Sequence, residues 1–498
     1  MKKFVIVGGR TAGWMTALVL ANQWQQAVEV TLIESADVGI IGVGEGSTPA
    51  LALFFKTMKI DESEWMPECN ATYKCGIRFD GWGSDPSSSY FHPFPSRVDY
   101  MTQSTFFSHA HARQQGADIS VSPDTYYLTN VLAACGLAPI GNENFPFEIQ
   151  YGYHFDAELL GEFLKKKAAT LGVRHKIGHV VAIENNDDGT IARLKTKDGD
   201  VLEADYFIDC SGFVSLLLQQ HLKVPFISYE KTLFNNAAVT MPTPADIVIP
   251  SETRATALTN GWAWKIPLTE HSGNGYVYSN HFISADAAET ELRAHLGLLD
   301  ADVNVRHLKM NVGRVESHWE KNCLAVGLSQ GFIEPLEATA LFLVQQTLGL
   351  FVDALQRGNF TDQYRDGFNV RVNQRFDGVR DYIVAHYKMS PRQDSDYWRA
   401  NTSDQENVSN AYRLFRARWQ QGENLAELLQ RPEFQSYYPT LSWYSLMMGL
   451  GYVLPAKSTA PEFQEKVKQE RLDTLEFLRR CALNFKDQRA YLDELKKR

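Results

Sequence analysis

Phe4-Val5-Ile6-Val7-Gly8-Gly9-Arg10-Thr11-Ala12-Gly13-Trp14 opens the chain, and Val28-Glu29-Val30-Thr31-Leu32-Ile33-Glu34 follows soon after. Phe4 to Val7 reads as a short buried strand, Gly8 to Gly13 as a turn and Trp14 to Gln23 as an apolar helix. Val28 to Glu34 then reads as a second strand that ends on an acid. Two continuous apolar strands joined by a helix form a parallel pair, so the fold class is α/β with a Rossmann-like nucleotide module. A tight glycine turn brings backbone N–H groups and a helix N-terminus to a pyrophosphate, and an acid about 20 residues on accepts from a ribose hydroxyl. Gly8, Gly9, Arg10, Thr11, Ala12, Gly13 and Glu34 are therefore candidate cofactor-binding residues. Arg10 stands where the second glycine of such turns leaves room for the pyrophosphate. Its side chain either turns to solvent or contacts a phosphate.

Two further stretches favour FAD over NAD. Gly42-Val43-Gly44-Glu45-Gly46-Ser47-Thr48-Pro49 is a second glycine-rich run that suits an extended cofactor, and it adds Gly44, Glu45 and Gly46 to the candidates. Ala204 to Gly212 reads as a strand that delivers a small-residue turn to the same face. Residues 70–79 alternate, with Tyr73, Cys75, Ile77 and Phe79 on one face and Lys74, Gly76 and Arg78 on the other, which by itself describes a strand with one wet face. Residues 80–150 are rich in Ser, Pro, Gly and aromatics and read as a long irregular excursion. A helix is expected at Ala157 to Thr170. Strands are expected at Val180 to Glu184, Ile191 to Thr196, Tyr206 to Cys210 and Cys323 to Val326. A long buried helix is expected over Glu337 to Ala354. Beyond about 356 the pattern turns helical. The organisation is then a module of residues 1–355 with an inserted substrate-site segment at about 80–150, and a helical C-terminal region at 356–498.

The 498 residues are 44% hydrophobic and 22% charged, with a net charge of −10. This is a globular composition, and the dispersed basic residues argue against a nucleic-acid partner. Cys69, Cys75, Cys135, Cys210, Cys323 and Cys481 lack metal-ligand spacing and read as reduced thiols, so no metal is expected. Gly8, Gly9, Arg10 and Gly13 interrupt the N-terminal apolar run, which rules out a signal-peptide reading, and no apolar stretch is long enough to span a membrane. The chain is read as cytoplasmic. A homodimer is compatible with this reading.

Gly-Trp-Ala-Trp-Lys-Ile-Pro at 261–267 resembles the tryptophan-x-tryptophan-x-isoleucine-proline pattern of flavin-dependent tryptophan halogenases. Gly42 to Pro49, Asn322-Cys323 through Gly331-Phe332-Ile333-Glu334-Pro335-Leu336-Glu337, His154-Phe155-Asp156, Arg380-Asp381-Tyr382 and His386-Tyr387 carry the same resemblance, which runs from about residue 3 to about 455. It implies an α/β FAD module with a mainly helical region over the active site. The chemistry it implies starts with reduced FAD from a separate flavin reductase. Oxygen gives a flavin hydroperoxide, halide (chloride or bromide) attacks it, and the hypohalous acid formed travels through a tunnel to a lysine beside an electron-rich aromatic ring.

That lysine aligns with Lys74, and the active-site glutamate of the family aligns with Glu337. Thr339 and Ala340 align with a halide-binding pair at a helix start, where the family usually has glycine in place of Ala340. Ser35, Gly46, Val181, Leu328 and Leu341 align with flavin-lining positions. Trp262 and Trp264 form the aromatic wall that keeps substrate away from flavin. His92 and Phe94 match residues that sandwich an indole. Glu433 matches a family acid. Tyr437-Tyr438 stands where tryptophan-specific members carry Phe-Trp, and Ala426-Glu427 stands where they carry the Tyr pair that holds the amino-acid end. The implied substrate is therefore indole or an indole derivative. Two readings compete: a flavin-dependent aromatic hydroxylase or epoxidase, which would carry Gly-Asp where Gly327-Leu328 stands, and a flavin-binding interaction protein, which would need neither Lys74 nor Glu337.

Overall fold

The computed structural model describes residues 1–36, 44–403, 406–434 and 436–497. Gly42 and Val43 of the second glycine-rich run lie outside these residues, while Gly44 to Pro49 lie within them. A six-stranded sheet carries the nucleotide module, in the order Trp319–Glu320, Cys323–Ala325, Tyr206–Asp209, Lys2–Val7, Val28–Glu34, Arg174–Ile177. All pairs are parallel except the outermost Trp319–Glu320 with Cys323–Ala325. Ile6 sits between Ile208 and Leu32 in register, and all three are fully buried. Burial on both faces is why these strands are continuously apolar rather than alternating. The helices Arg10–Trp24 and Ala157–Thr170 pack together on one face. Val7, Asp209 and Glu34 all fall at the carboxyl ends of their strands, the edge at which such sheets bind ligands.

A seven-stranded sheet lies beyond this module. Its order is Arg306–Lys309, Ala237–Pro244, His271–Tyr278, Gly261–Pro267, Glu252–Leu258, Gly76–Asp80, Ser89–Pro93. A small sheet joins Glu45–Gly46, Gly152–Phe155 and Thr72–Lys74. One hydrophobic core runs from Phe4 to Leu495 and takes side chains from both sheets and from the C-terminal helices. Among the described residues, no helix is long and apolar enough to cross a membrane.

Several sequence expectations change here. The first helix begins at Arg10, not Trp14, because the glycine turn closes within Gly8–Gly9. Residues 70–79 form two strands in two different sheets, Thr72–Lys74 and Gly76–Asp80, since Cys75 leaves the first ladder and donates its N–H to Ser251. Both faces are covered, so the expected wet face is absent and Lys74 is fully buried. Segment 80–150 is not irregular throughout: it holds Ser89–Pro93, Tyr100–Gln114, Leu128–Ala134 and Leu137–Gly141. The buried helix spans Ala340–Arg357, so Glu337 lies before it, in the 3₁₀ turn Pro335–Glu337. The left-handed φ of +54° at Ala338 breaks the helix from that turn. Three strands end one residue from their expected bounds, at Asn185, Asp209 and Ala325. Phe485–Asp487 adds a strand, paired to Leu137–Gly141, in the otherwise helical C-terminal region.

Candidate active site

The glycine turn is held by close approaches that a side chain would forbid. Gly8 has φ +103°, and a Cβ there would collide with the Cys210 carbonyl. A Cβ on Gly9 would collide with Glu34 Oε2, so the Glu34 carboxylate lies directly on the turn backbone. His175 Nε2 holds the other Glu34 oxygen at 2.8 Å. Thr11 donates its hydroxyl to the Ala157 carbonyl at 3.0 Å, which ties the turn to the second helix, and Gly327 approaches Ala12 so closely that a Cβ would stand 2.8 Å from the Ala12 Cβ. Leu328 is thereby placed beside the turn. Arg10 takes φ +56° at the helix start, a left-handed conformation that explains why this position favours glycine. A carboxylate against a glycine turn at the N-terminus of a 15-residue helix fits the ribose and pyrophosphate of FAD. Ser35 Oγ and His179 Nδ1 lie 2.9 Å apart just before the strand Val180–Asn185 of a separate three-stranded sheet, in which Val181 is exposed. Glu45 and Gly46 form a two-residue strand next to Gly44, and burial raises the Glu45 carboxyl to about 7.

Gly46 also makes room for something else. A Cβ there would stand 3.2 Å from Lys74 Nζ, 3.4 Å from Thr253 Oγ1 and 3.6 Å from His154 Cδ2. The Lys74 amine thus sits in the space that the glycine leaves open. It is fully buried without a hydrogen-bond partner, 5.6 Å from the centre of the Phe94 ring. Burial pushes its pKa down to about 7, against the pull of the Glu337 charge. His154 bridges Thr72 at 3.0 Å and Thr253 at 2.9 Å. Burial first, then the Lys74 charge, hold its pKa well below the ordinary histidine value, so it stands as a neutral ring.

Glu337 is the centre of a second buried cluster. His92 Nδ1 lies 2.8 Å from its Oε2, and His386 Nε2 lies 3.0 Å from its Oε1. Burial would raise this carboxyl, but the two imidazoles outweigh it and hold the pKa at about 2. His92 Nε2 meets Ser442 Oγ at 2.9 Å, so the edges of the His92 ring are engaged and stacking would have to use its faces. Thr339 and Ala340 open the 18-residue helix, where first-turn amides lack intrahelical partners and the dipole favours an anion. The Thr339 hydroxyl is itself buried without a partner. Leu341 is buried in the same turn.

Trp262 and Trp264 share one face of the strand Gly261–Pro267, with ring centres 6.1 Å apart. Trp262 Nε1 donates to Glu334 Oε2 at 2.8 Å, and Trp264 is seated over Gly275, where a Cβ would strike its ring. Tyr438 stacks on Tyr382 at 3.9 Å, and Tyr437 donates to Asp381 at 2.8 Å. Glu433 stands exposed on the turn Pro432–Phe434, outside the buried clusters, and Ala426 lies on the short helix Leu425–Leu428. Arg78, expected beside Lys74 on a wet face, instead pairs with Glu252 at 3.0 Å and Asp124 at 2.9 Å.

The sequence assigns no role to His386, Ser442, His154 or Glu334. His386 and Tyr382 are four apart on the helix Arg365–Lys388, so they share a face. That spacing, with the motifs His386-Tyr387, His154-Phe155-Asp156 and Glu334-Pro335, is the local signal for three of them. Ser442 and Thr253 offer none, because only the fold brings them in. Among the described residues, no group of His, Cys, Asp and Glu has the arrangement of a metal site.

Known proteins resemble this chain over most of its length. The tryptophan halogenase family model matches residues 3–466. The tryptophan 6-halogenase SttH of Streptomyces toxytricini is 36% identical over 485 residues, covering 91% of this chain and 90% of its own. Its crystal structure superposes with a TM-score of 0.87 over 99% of both chains. The tryptophan 7-halogenase RebH of Lentzea aerocolonigenes is 33% identical over 92% of this chain and 91% of its own. Tar14, a tryptophan C-6 flavin-dependent halogenase (chlorinase) from taromycin biosynthesis, gives a TM-score of 0.85 at 31% identity over the whole of both chains. These relatives do not favour the hydroxylase or epoxidase reading. The chain belongs to the tryptophan halogenase family.

Proposed function

We propose that this flavin-dependent halogenase uses Lys74 and Glu337 to place chlorine or bromine on the ring of indole or an indole derivative. The observation that carries the reading is the Lys74 amine, fully buried with no hydrogen-bond partner, in the space left by Gly46. An unsatisfied buried donor costs about 1–3 kcal/mol, so a group kept in that condition has work other than stability. Bound reduced FAD, with oxygen and halide, supplies hypohalous acid. Lys74 then donates a hydrogen bond to that oxidant and aims its halogen, while Phe94 and the Trp262–Trp264 wall exclude water. Glu337, ionised between two histidines, faces the cationic ring adduct and receives its proton. The first-turn amides at Thr339 and Ala340 hold the halide.

Gly8 to Gly13, Glu34, Ser35, Gly44 to Gly46, Val181, Leu328 and Leu341 are the proposed FAD contacts. Reduced FAD comes from a separate reductase by diffusion or transient contact, and the enzyme works in the cytoplasm. Ala426-Glu427 lacks hydroxyls to hold an amino-acid end, which supports indole over free tryptophan. The test is mass spectrometry of products from indole and from tryptophan, with reductase, FAD, NADH and either halide. Monohalogenated indole with the higher specificity constant is expected. Hydroxylated products alone would overturn the chemistry, and a higher specificity constant for tryptophan would overturn the substrate.

A further inference from the structure

His386 offers a route to where a proton must lie. It is fully buried on the helix Arg365–Lys388, with its ring against Phe79 and Trp82. Its Nδ1 is 2.9 Å from the Tyr382 carbonyl oxygen, an atom that only accepts, so Nδ1 carries a hydrogen. Its Nε2 is 3.0 Å from Glu337 Oε1. A bare nitrogen there would set its lone pair against one of Oε1 in a fully buried contact, so a hydrogen lies between them. His92 differs. Its far nitrogen meets Ser442 Oγ, which can donate as well as accept, so these contacts fit either form of that ring.

We propose that His386 is a standing imidazolium, a positioning residue that keeps the Glu337 carboxylate ionised and aimed while the ring is substituted. This rests on the reading of Glu337 as the group that receives the ring proton. In that step the C–H bond of the halogen-bearing carbon breaks and its electron pair restores the aromatic ring. The proton goes to Glu337, and His386 keeps both of its own hydrogens. Of the two groups the carboxyl is ordinarily the stronger acid, so the hydrogen between them stays on the imidazole. The other ionisable groups around the pair are Glu334, whose carboxyl feels the His386 charge, together with Tyr90, Tyr382 and Tyr438, and Lys74 on the far side of Glu337.

Nitrogen NMR of the full chain labelled at its 13 histidines reads this without turnover. At about pH 8, above the ordinary histidine range, the resonances lost in His386→Gln are expected to show the doubly protonated pattern in wild type. In Glu337→Gln they are expected to show the neutral one. A neutral pattern in wild type overturns the proposal, and so does an imidazolium pattern that persists in Glu337→Gln. If His386→Gln fails to fold, the two rings that change in Glu337→Gln are His92 and His386, and the one that Ser442→Ala also shifts is His92, which leaves the other as His386. In activity, His386→Gln keeps a neutral donor and is expected to lose about 10²-fold in kcat with KM little changed, whereas full kcat overturns the role. Halogenation retained in Glu337→Gln would defeat the underlying reading of Glu337 and leave the imidazolium result standing, so the two failures are distinct.

Discussion

An amine sealed away from water loses its preference for the charged form, and at Lys74 burial carries the pKa from 10.5 to about 7. The unfolded chain binds this proton up to about 10.5, while the folded chain releases it near 7. Between those values unfolding takes up a proton, so folding is penalised progressively as pH falls across the window, with no further penalty below it. Lys74→Met fills similar space without the charge. It is expected to raise stability by about 1–3 kcal/mol near pH 7, with the gain shrinking toward pH 10, while halogenated product falls to background. Thermal melts at several pH values, read beside product assays, check both parts. A melting temperature unchanged at every pH would mean that the amine is solvated in the native state. Period-two alternation around Lys74 looked like a half-wet strand, because a local pattern cannot register that a second layer covers the polar face.

At the scale of elements, legibility followed periodicity. Val28–Glu34 and Ala157–Thr170 have the bounds read from sequence, because one is continuously apolar and the other carries Asp156 as its N-cap, accepting from Glu158 and Leu159. The Trp262–Trp264 strand could be found by its motif. Its seat could not, because Gly275 is brought opposite Trp264 only by the antiparallel register. A Cβ at Gly275 would enter the Trp264 ring, so Gly275→Ala must displace that side chain. The expected cost is about 1–3 kcal/mol, with less halogenated product for each reduced FAD oxidised. Product yield measured against flavin reoxidation tests this, and an unchanged ratio would remove Trp264 from the wall. Arg10 is the complementary case, since its left-handed φ opens the first helix at a cost of about 1–2 kcal/mol for a residue with a Cβ. Arg10→Gly is expected to recover about 1 kcal/mol and to bind FAD more tightly. Melting temperature and a fluorescence titration read the two effects, and weaker binding would show that the guanidinium contacts the cofactor.

The whole molecule gathers His92, Glu337, His386 and Ser442 into one cluster from four distant parts of the chain, which is why the sequence could name members of the site but not their wiring. The parallel sheet presents the proposed cofactor cradle at the carboxyl ends of Lys2–Val7 and Val28–Glu34, and among the described residues this is the one strand–glycine turn–helix unit of its kind. A second such unit would offer a nicotinamide dinucleotide a place to bind at the same time as FAD, with its reactive carbon reaching the flavin ring. On the proposed substrate side, Phe94, Trp262, Trp264 and His386 of the helix Arg365–Lys388 are all buried. Hydride transfer from NADH is therefore expected to happen elsewhere. The purified chain with FAD, NADH, halide and indole is expected to yield no halogenated product and to consume NADH no faster than free FAD does. Adding a flavin reductase, or FAD reduced chemically without any reductase, should restore product. Recovery with chemically reduced FAD shows that the reductase supplies a diffusing cofactor, whereas recovery only with the reductase present would point to a docking step. Rapid NADH oxidation by the chain alone would mean that a nicotinamide site exists despite the single cradle.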